Sequence, residues 1–358
     1  MSRDISAALV NEQRRSSCNG VVKTFLLVSL AVLFTACFYQ SIQPPPVKTF
    51  SVTSPRVKLR DGRHLAYKEH GVSRDIARYK IVYIHGFDSC RHDAYFSNSI
   101  SQGLVEELMI YSVSFDRPGY GESDPDPNRT PRSIALDIEQ LADGLGLGPK
   151  FYVLGFSLGG QITWSCLHYI PHRLAGVTLV APVINFWWRN LPVNMSKEAL
   201  SALLPRDRWA LRVAHYMPWL TYWWNTQRWF PVFSIISGNR EILCPQDMTI
   251  LSKLGFKRPN QAHTRQQGEY ESLHRDLIVG FGNWEFDPLD VQNPFPDNEG
   301  LVHLWQGDDD WFLSVMLQRY IVSKLAWIRY HEIAGSGHFF SLLDGNVDKI
   351  VKTLLVGG

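Results

Sequence analysis

The chain has 358 residues, 45% hydrophobic and 20% charged, which suits one large or two ordinary folded domains and excludes a disordered chain. A formal charge of +2 without a basic stripe excludes nucleic acid as a partner. Five cysteines (Cys18, Cys37, Cys90, Cys166, Cys244) form no C-x-x-C pair, and their odd count argues against a complete disulfide framework.

Residues 1–20 read as a polar tail. Residues 21–39, VVKTFLLVSLAVLFTACFY, carry one charge, Lys23, near an end where its stem reaches lipid headgroups. At 1.5 Å per residue they span about 28 Å, close to a bilayer's hydrocarbon thickness, which predicts a single-pass anchor. Arg3, Arg14 and Arg15 precede the span, whereas Lys48, Arg56 and Lys58 follow it closely. That mild bias favours a cytosolic N-terminus at an endomembrane or plasma membrane. The rival reading is a signal peptide cleaved near Thr35–Cys37, giving a secreted protein. The triplets Asn128-Arg129-Thr130 and Asn194-Met195-Ser196 are glycosylation acceptors that suit a lumenal domain. Residues 40–54, with Pro44-Pro45-Pro46, form a tether.

Two short runs, Val57–Leu59 and Leu65–Tyr67, flank Asp61-Gly62 and predict a hairpin. Strand-like runs follow at Lys80–Ile84, Met109–Phe115, Phe151–Leu154, Val177–Val183, Val302–Trp305 and Trp327–Glu332. Helical patterns lie near Asp93–Glu107, Pro131–Leu145, Leu158–Tyr169, Phe312–Lys324 and Asn346–Leu355. Strands alternating with helices predict an α/β fold with a mostly parallel sheet covered on both faces. The core then comprises residues 55–184 and 300–358. Residues 185–299 interrupt it with Trp187, Trp188, Trp209, Trp219, Trp223, Trp224, Trp229 and Trp284, eight of the chain's twelve tryptophans. This segment is too long for a crossover and too aromatic for a solvated loop, and it predicts an inserted helical lid. A lid of this kind would present an apolar surface to a ligand or membrane; most of these rings are expected in the insert's own core, with about a third facing a cleft.

Gly155-Phe156-Ser157-Leu158-Gly159 is a G-x-S-x-G pattern where a strand ends and a helix begins. A sharp turn there exposes the serine hydroxyl above the sheet, and glycines at 155 and 159 avoid clashes. A serine needs a base and an orienting acid to act as a nucleophile. In this architecture they follow in the order acid, then histidine. Asp308, Asp309 and Asp310 come just past one strand, and His338 lies in GSGHFF just past the next. The Leu158 N–H at the helix start is one candidate oxyanion donor. Phe87, in the His85-Gly86-Phe87 loop after an earlier strand, supplies the second; Gly86 permits close approach and His85 is a structural hydrogen-bonder. Asp88 and Cys90 stay unassigned. No histidine or cysteine cluster calls for a metal or cofactor.

From about residue 55 onward the chain resembles the α/β-hydrolase superfamily, in its serine-nucleophile branch. The resemblance rests on His85-Gly86, Phe115-Asp116-Arg117-Pro118-Gly119-Tyr120-Gly121-Glu122-Ser123, Gly155–Gly160, Gly307–Asp310 and Gly337-His338. HGFDSCRHDA, WALRVAHYMPWLTYWWNTQRWFP and ESLHRDLIVGFGNWEFDPLD look like a plant branch of membrane-anchored members. The resemblance implies a triad of Ser157, Asp310 and His338, the acid's distance from the preceding glycine selecting Asp310. It departs at Trp311-Phe312-Leu313-Ser314, where relatives carry a small aliphatic run ending in proline; two rings there would reshape the pocket or displace Asp310. The expected activity is hydrolysis of hydrophobic carboxylic esters, lipase- or esterase-like, without a cofactor. An acyltransferase with the same triad, or a ligand receptor with slow turnover, are the alternatives. The oligomeric state is not legible.

Overall fold

The computed structural model describes residues 23–357, with Ala94 and Lys257 excepted; the polar tail and Cys18 lie outside the described residues. The chain divides into two compact units, Met1–Pro44 and Pro45–Gly358. The first contains helix α1 (Lys23–Ile42), whose 20 residues and mean hydropathy of 2.0 make it long and apolar enough to cross a membrane. A signal sequence shares those properties.

Among the described residues the second unit holds the whole core, the first buried apolar side chain being Val57. A protein starting at residue 45 therefore keeps every buried apolar contact. At its centre is an eight-stranded sheet in the order β1-β2-β4-β3-β5-β6-β7-β8. The predicted hairpin forms: β1 (Arg56–Lys58) lies antiparallel to β2 (His64–Gly71), with Arg56 opposite Ala66. Strand β2 also runs antiparallel to β4 (Ile110–Phe115). The others, β3 (Tyr79–Ile84), β5 (Phe151–Phe156), β6 (Leu174–Val180), β7 (Val302–Gly307) and β8 (Ile328–Ile333), continue the sheet from β4 in parallel. Because β3 lies between β4 and β5, the order reverses beside it, and a crevice opens at the strands' C-terminal ends.

Alternate side chains of each strand go to opposite faces. Val82, Ile84, Val153 and Leu304 pack with α4 (Pro131–Gly144), α5 (Leu158–Tyr169) and α13 (Val315–Lys324). Ile81, Tyr83, Leu154 and Trp305 pack with α2 (Tyr95–Ser99), α3 (Gln102–Leu108) and α14 (Asn346–Val356). Thr130 caps α4 through a reciprocal pair with Ser133, as a hydroxyl before proline predicts.

Three expected elements shift. The helix expected over Asp93–Glu107 is two, because Ser101 leaves helical geometry and caps α3 by accepting the Leu104 N–H. Strand β6 ends at Val180 and not Val183: Ala181 takes φ 43° and Pro182 has no N–H to donate. Helix α13 begins at Val315 and not Phe312, with Ser314 as its cap.

Between β6 and β7 the described residues form α6 (Val193–Ala202), α7 (Pro205–Tyr216), α8 (Thr221–Thr226), α9 (Ser234–Ser237), α10 (Pro245–Lys253), α11 (Gln261–Thr264), α12 (Arg275–Phe281) and short 3-10 and π turns. Most of the insertion's tryptophans pack in or against its interior, as expected, while three lie on the surface. Trp188 is buried, Trp187, Trp223, Trp224 and Trp284 are half-buried, and Trp209, Trp219 and Trp229 are 53%, 56% and 80% exposed. Leu200, Leu211, Leu277 and Phe281 fill the interior beside Trp188.

Candidate active site

Ser157 stands alone between β5 and α5 at φ 56°, ψ −117°, a conformation that side chains rarely adopt. The surroundings enforce it. The Ser157 N–H donates to the Val180 carbonyl (2.9 Å), and its own carbonyl accepts from the Val183 and Gln161 amides (both 3.1 Å). A side chain at Gly155 would strike the Gly159 carbonyl, and one at Gly159 the Ile84 carbonyl, so strand and helix meet closely only through glycine.

His338 Nε2 lies 3.0 Å from Ser157 Oγ, and His338 Nδ1 lies 2.8 Å from Asp310 Oδ2. Of the three aspartates offered by sequence, Asp310 alone meets the histidine. Asp308 accepts the Ser336 N–H (3.2 Å), and Asp309 accepts the Trp311 indole N–H (2.9 Å). The bulky residues after the acid do not displace it: the Phe312 and Leu313 amides donate to Asp310 Oδ1 at 2.8 and 3.0 Å. Gln306 adds a 2.9 Å bond to Oδ2. The Phe312 ring stacks on His338 with centroids 4.8 Å apart, and Trp311 borders the cavity.

Sequence reading missed what holds the His338 loop. Asp247, on the first turn of α10, accepts the His338 and Phe339 amides, each at 2.9 Å. Gln246 accepts the Gly337 N–H (2.8 Å) and donates to Ser336 Oγ (3.2 Å). Burial disfavours a charged His338 ring, but the Asp310 charge and hydrogen bond, with the Asp247 charge, outweigh it and raise its pKa above 6.5. Burial also lifts the Asp247 carboxyl above its usual value, against the pull of the Phe339 amide and of His338.

The Phe87 loop is braced from the same side. His85 Nε2 accepts the Arg117 N–H (3.1 Å), so its proton sits on Nδ1, which donates to the Gly86 carbonyl (2.9 Å). Burial, then the Arg117 charge, lowers His85 to about 3, so it is a neutral strut and not a second base. Arg117 also donates to the Gly86 carbonyl (3.0 Å) and forms a two-pronged pair with Asp276 of α12 (2.7 and 2.6 Å). Tyr120 and Arg129 converge on that carboxylate at 2.6 and 3.0 Å. Asp88, unassigned from sequence, receives Arg258 at 2.7 Å and Arg265 at 2.8 Å, both from the insertion. Among the described residues, no hydrogen bond takes up the Phe87 or Leu158 amide.

Cys90, Asp116 and His263 place ligand-type atoms within 4.8 Å of one another. Arg91 is already bonded to that Asp116 and lies 3.1 Å from His263 Nε2, while burial pushes the Cys90 thiol up to about 12. A group carrying its own cation and a neutral thiol does not fit a metal ion.

Ser157 and His338 border two cavities. One, of about 620 Å³, is walled by Leu158, Phe186, Leu211, Phe233, Leu277 and Phe281 among others. The second, of about 990 Å³, is more polar and includes Arg240, Asn260 and Gln261. The alpha/beta hydrolase family profile matches residues 81–352. The chain belongs to the α/β-hydrolase family. Among solved structures this hydrolase is similar to a thermophilic esterase from Thermogutta terrifontis, with 17% identity, 84% of this chain and 97% of that chain covered, and a TM-score of 0.51. An enol-lactonase from Burkholderia xenovorans gives 13% identity, 84% and 99% coverage and a TM-score of 0.58. An α/β-hydrolase fold protein from Chitinophaga pinensis gives 16%, 88%, 99% and 0.53. At these identities the likeness is one of fold.

Proposed function

We propose that the protein is a serine hydrolase of hydrophobic carboxylic esters. The observation that carries this reading is the unbroken chain from Ser157 Oγ through His338 to Asp310 at the wall of an apolar cavity. In this mechanism Ser157 attacks the ester carbonyl, and His338 Nε2 takes its proton and delivers it to the leaving alcohol. Asp310 holds the Nδ1 proton and stabilises the imidazolium. The Phe87 and Leu158 amides receive the oxyanion, each contributing roughly 2.7–4 kcal/mol to the transition state. Water activated by His338 then releases the acid from the acyl-serine. The apolar cavity takes the acyl chain and the more polar one the alcohol side. Esterase and lactonase activities among the structural neighbours support an ester substrate. Residues 185–299 act as the lid, and α1 as a retained anchor with a cytosolic N-terminus.

The test is labelling of residues 45–358 by a fluorophosphonate probe, beside Ser157→Ala and His338→Ala. Rapid labelling lost in both variants, followed by turnover of acyl esters that depends on chain length, is the expected result. Folded wild-type protein that does not label would overturn the reading in favour of a receptor.

A further inference from the structure

Three of the insertion's tryptophans face solvent, and no wall of the 620 Å³ cavity is built from the eight in that segment. Exposing large rings is costly, and a contiguous apolar patch marks a surface that something covers. Here the rings are contiguous. Trp209 meets Trp224 (6.3 Å between centroids), Trp224 stacks on Phe230 (4.9 Å), and Trp223 joins Phe230 (6.4 Å) to Trp229 (6.1 Å). Tyr216, Met217 and Trp219, in the chain between Trp209 and Trp223, are exposed as well, at 66%, 38% and 56%.

Within the segment that carries these rings, the exposed charge has one sign. Between residues 205 and 230 the cations are Arg206, Arg208, Arg212 and Arg228, and Arg212 lies over the Trp209 ring at 5.6 Å. The single acid in that stretch, Asp207, is buried and accepts the Ser234 N–H at 2.7 Å, so it does not offset them at the surface. Tryptophan and tyrosine rings interleaved with arginine match the headgroup layer of a bilayer, where rings sit at the boundary and cations pair with anionic phosphates and carboxylates.

We propose that the exposed face of α7 and the segment through Phe230 docks on an anionic lipid bilayer. The helix is suited to this by its periodicity. Trp209, Arg212 and Tyr216 lie along one side, whereas Leu204, Asp207 and Leu211, on the far side, border the cavity that contains Ser157. One turn of protein thus separates lipid from the cavity. The proposal is independent of whether Ser157 turns over an ester, and the apolar helix α1 is a separate feature of the chain pointing to a membrane.

Residues 45–358, which keep the whole core and lack α1, serve for the test. They are sedimented with vesicles of phosphatidylcholine alone or mixed with phosphatidylserine, and with vesicles whose acyl chains carry bromine. The expected result is binding to the mixed vesicles that weakens with salt, with tryptophan emission quenched by the brominated lipid. Trp219→Ala with Trp229→Ala weakens binding by at least roughly tenfold, the loss of two rings from the lipid contact. Arg212→Gln with Arg228→Gln abolishes the preference for phosphatidylserine. Circular dichroism confirms folding, since the two tryptophan sites are more than half exposed. Absence of binding to either vesicle, or binding that the tryptophan variant retains in full, overturns the proposal and assigns the patch to a protein partner.

Discussion

The Ser157 backbone is held at φ 56° by hydrogen bonds from strand and helix, and such conformations cost about 1–3 kcal/mol. Glycine adopts this region freely but loses about 0.5–1 kcal/mol through its extra freedom when unfolded. Ser157→Gly is therefore expected to melt at or above the wild-type temperature, and above Ser157→Ala, which keeps the strain. Both lose fluorophosphonate labelling, so calorimetry of the pair separates strain from the missing hydroxyl. His338 supplies the second test at this scale. It must be neutral to accept the serine proton, and its raised pKa places the acid limb of kcat/KM above pH 6.5. The groups that face it are Asp310, Asp247 and Ser157. Asp247→Asn removes one charge and leaves an amide N–H of the loop without its acceptor. The acid limb is expected to move to lower pH, and kcat to fall about tenfold for every 1.4 kcal/mol of positioning lost. An unchanged pH profile with lowered stability would mean that Asp247 only braces the fold.

Helix α12 braces the Gly86–Phe87 loop beside Ser157 from within the insertion. Its Asp276 faces two buried guanidiniums, and although burial opposes ionisation, the charges of Arg117 and then Arg129 hold the carboxyl below its usual 3.8. A lowered folded-state value means that this stabilisation is present above pH 3.8 and is lost as pH falls through the folded value. Asp276→Asn leaves two cations buried without their carboxylate and is expected to destabilise by about 3–5 kcal/mol, read by urea unfolding at neutral pH. The sequence announced neither this contact nor those at Asp88 and Asp247. Helix α5 and the turn before it were legible because local rules coincide there: an apolar run, a glycine-bounded serine, then helical spacing. The Arg117–Asp276 pair joins residues 159 apart, and nothing local marks an aspartate in α12 as the partner of an arginine after β4. Strand β6 was misplaced for a similar reason, since the apolar run 181–183 looks like strand until Ala181 and Pro182 turn it away. Which tryptophans lie at the surface was not legible, because composition gives a ring's identity and not the side on which it lies.

Across the second unit, the turns at the ends of the sheet's strands carry the groups proposed to react, while the insertion supplies much of what keeps them in place. Arg258 and Arg265 fasten Asp88 beside Phe87, Asp276 fastens Arg117 under Gly86, and Gln246 with Asp247 fastens the loop of His338. The insertion also supplies much of the lining of the apolar cavity, so shaping that cavity and bracing the loops around Ser157 fall to the same segment. A chimera that borrows this segment from a relative to change the substrate range would inherit a new cavity and lose the clamps at 88, 117 and 338 together. Interchanging this part between family members requires that those positions travel with it, and divergence in the cavity is tied to coordinated change in the scaffold around Ser157.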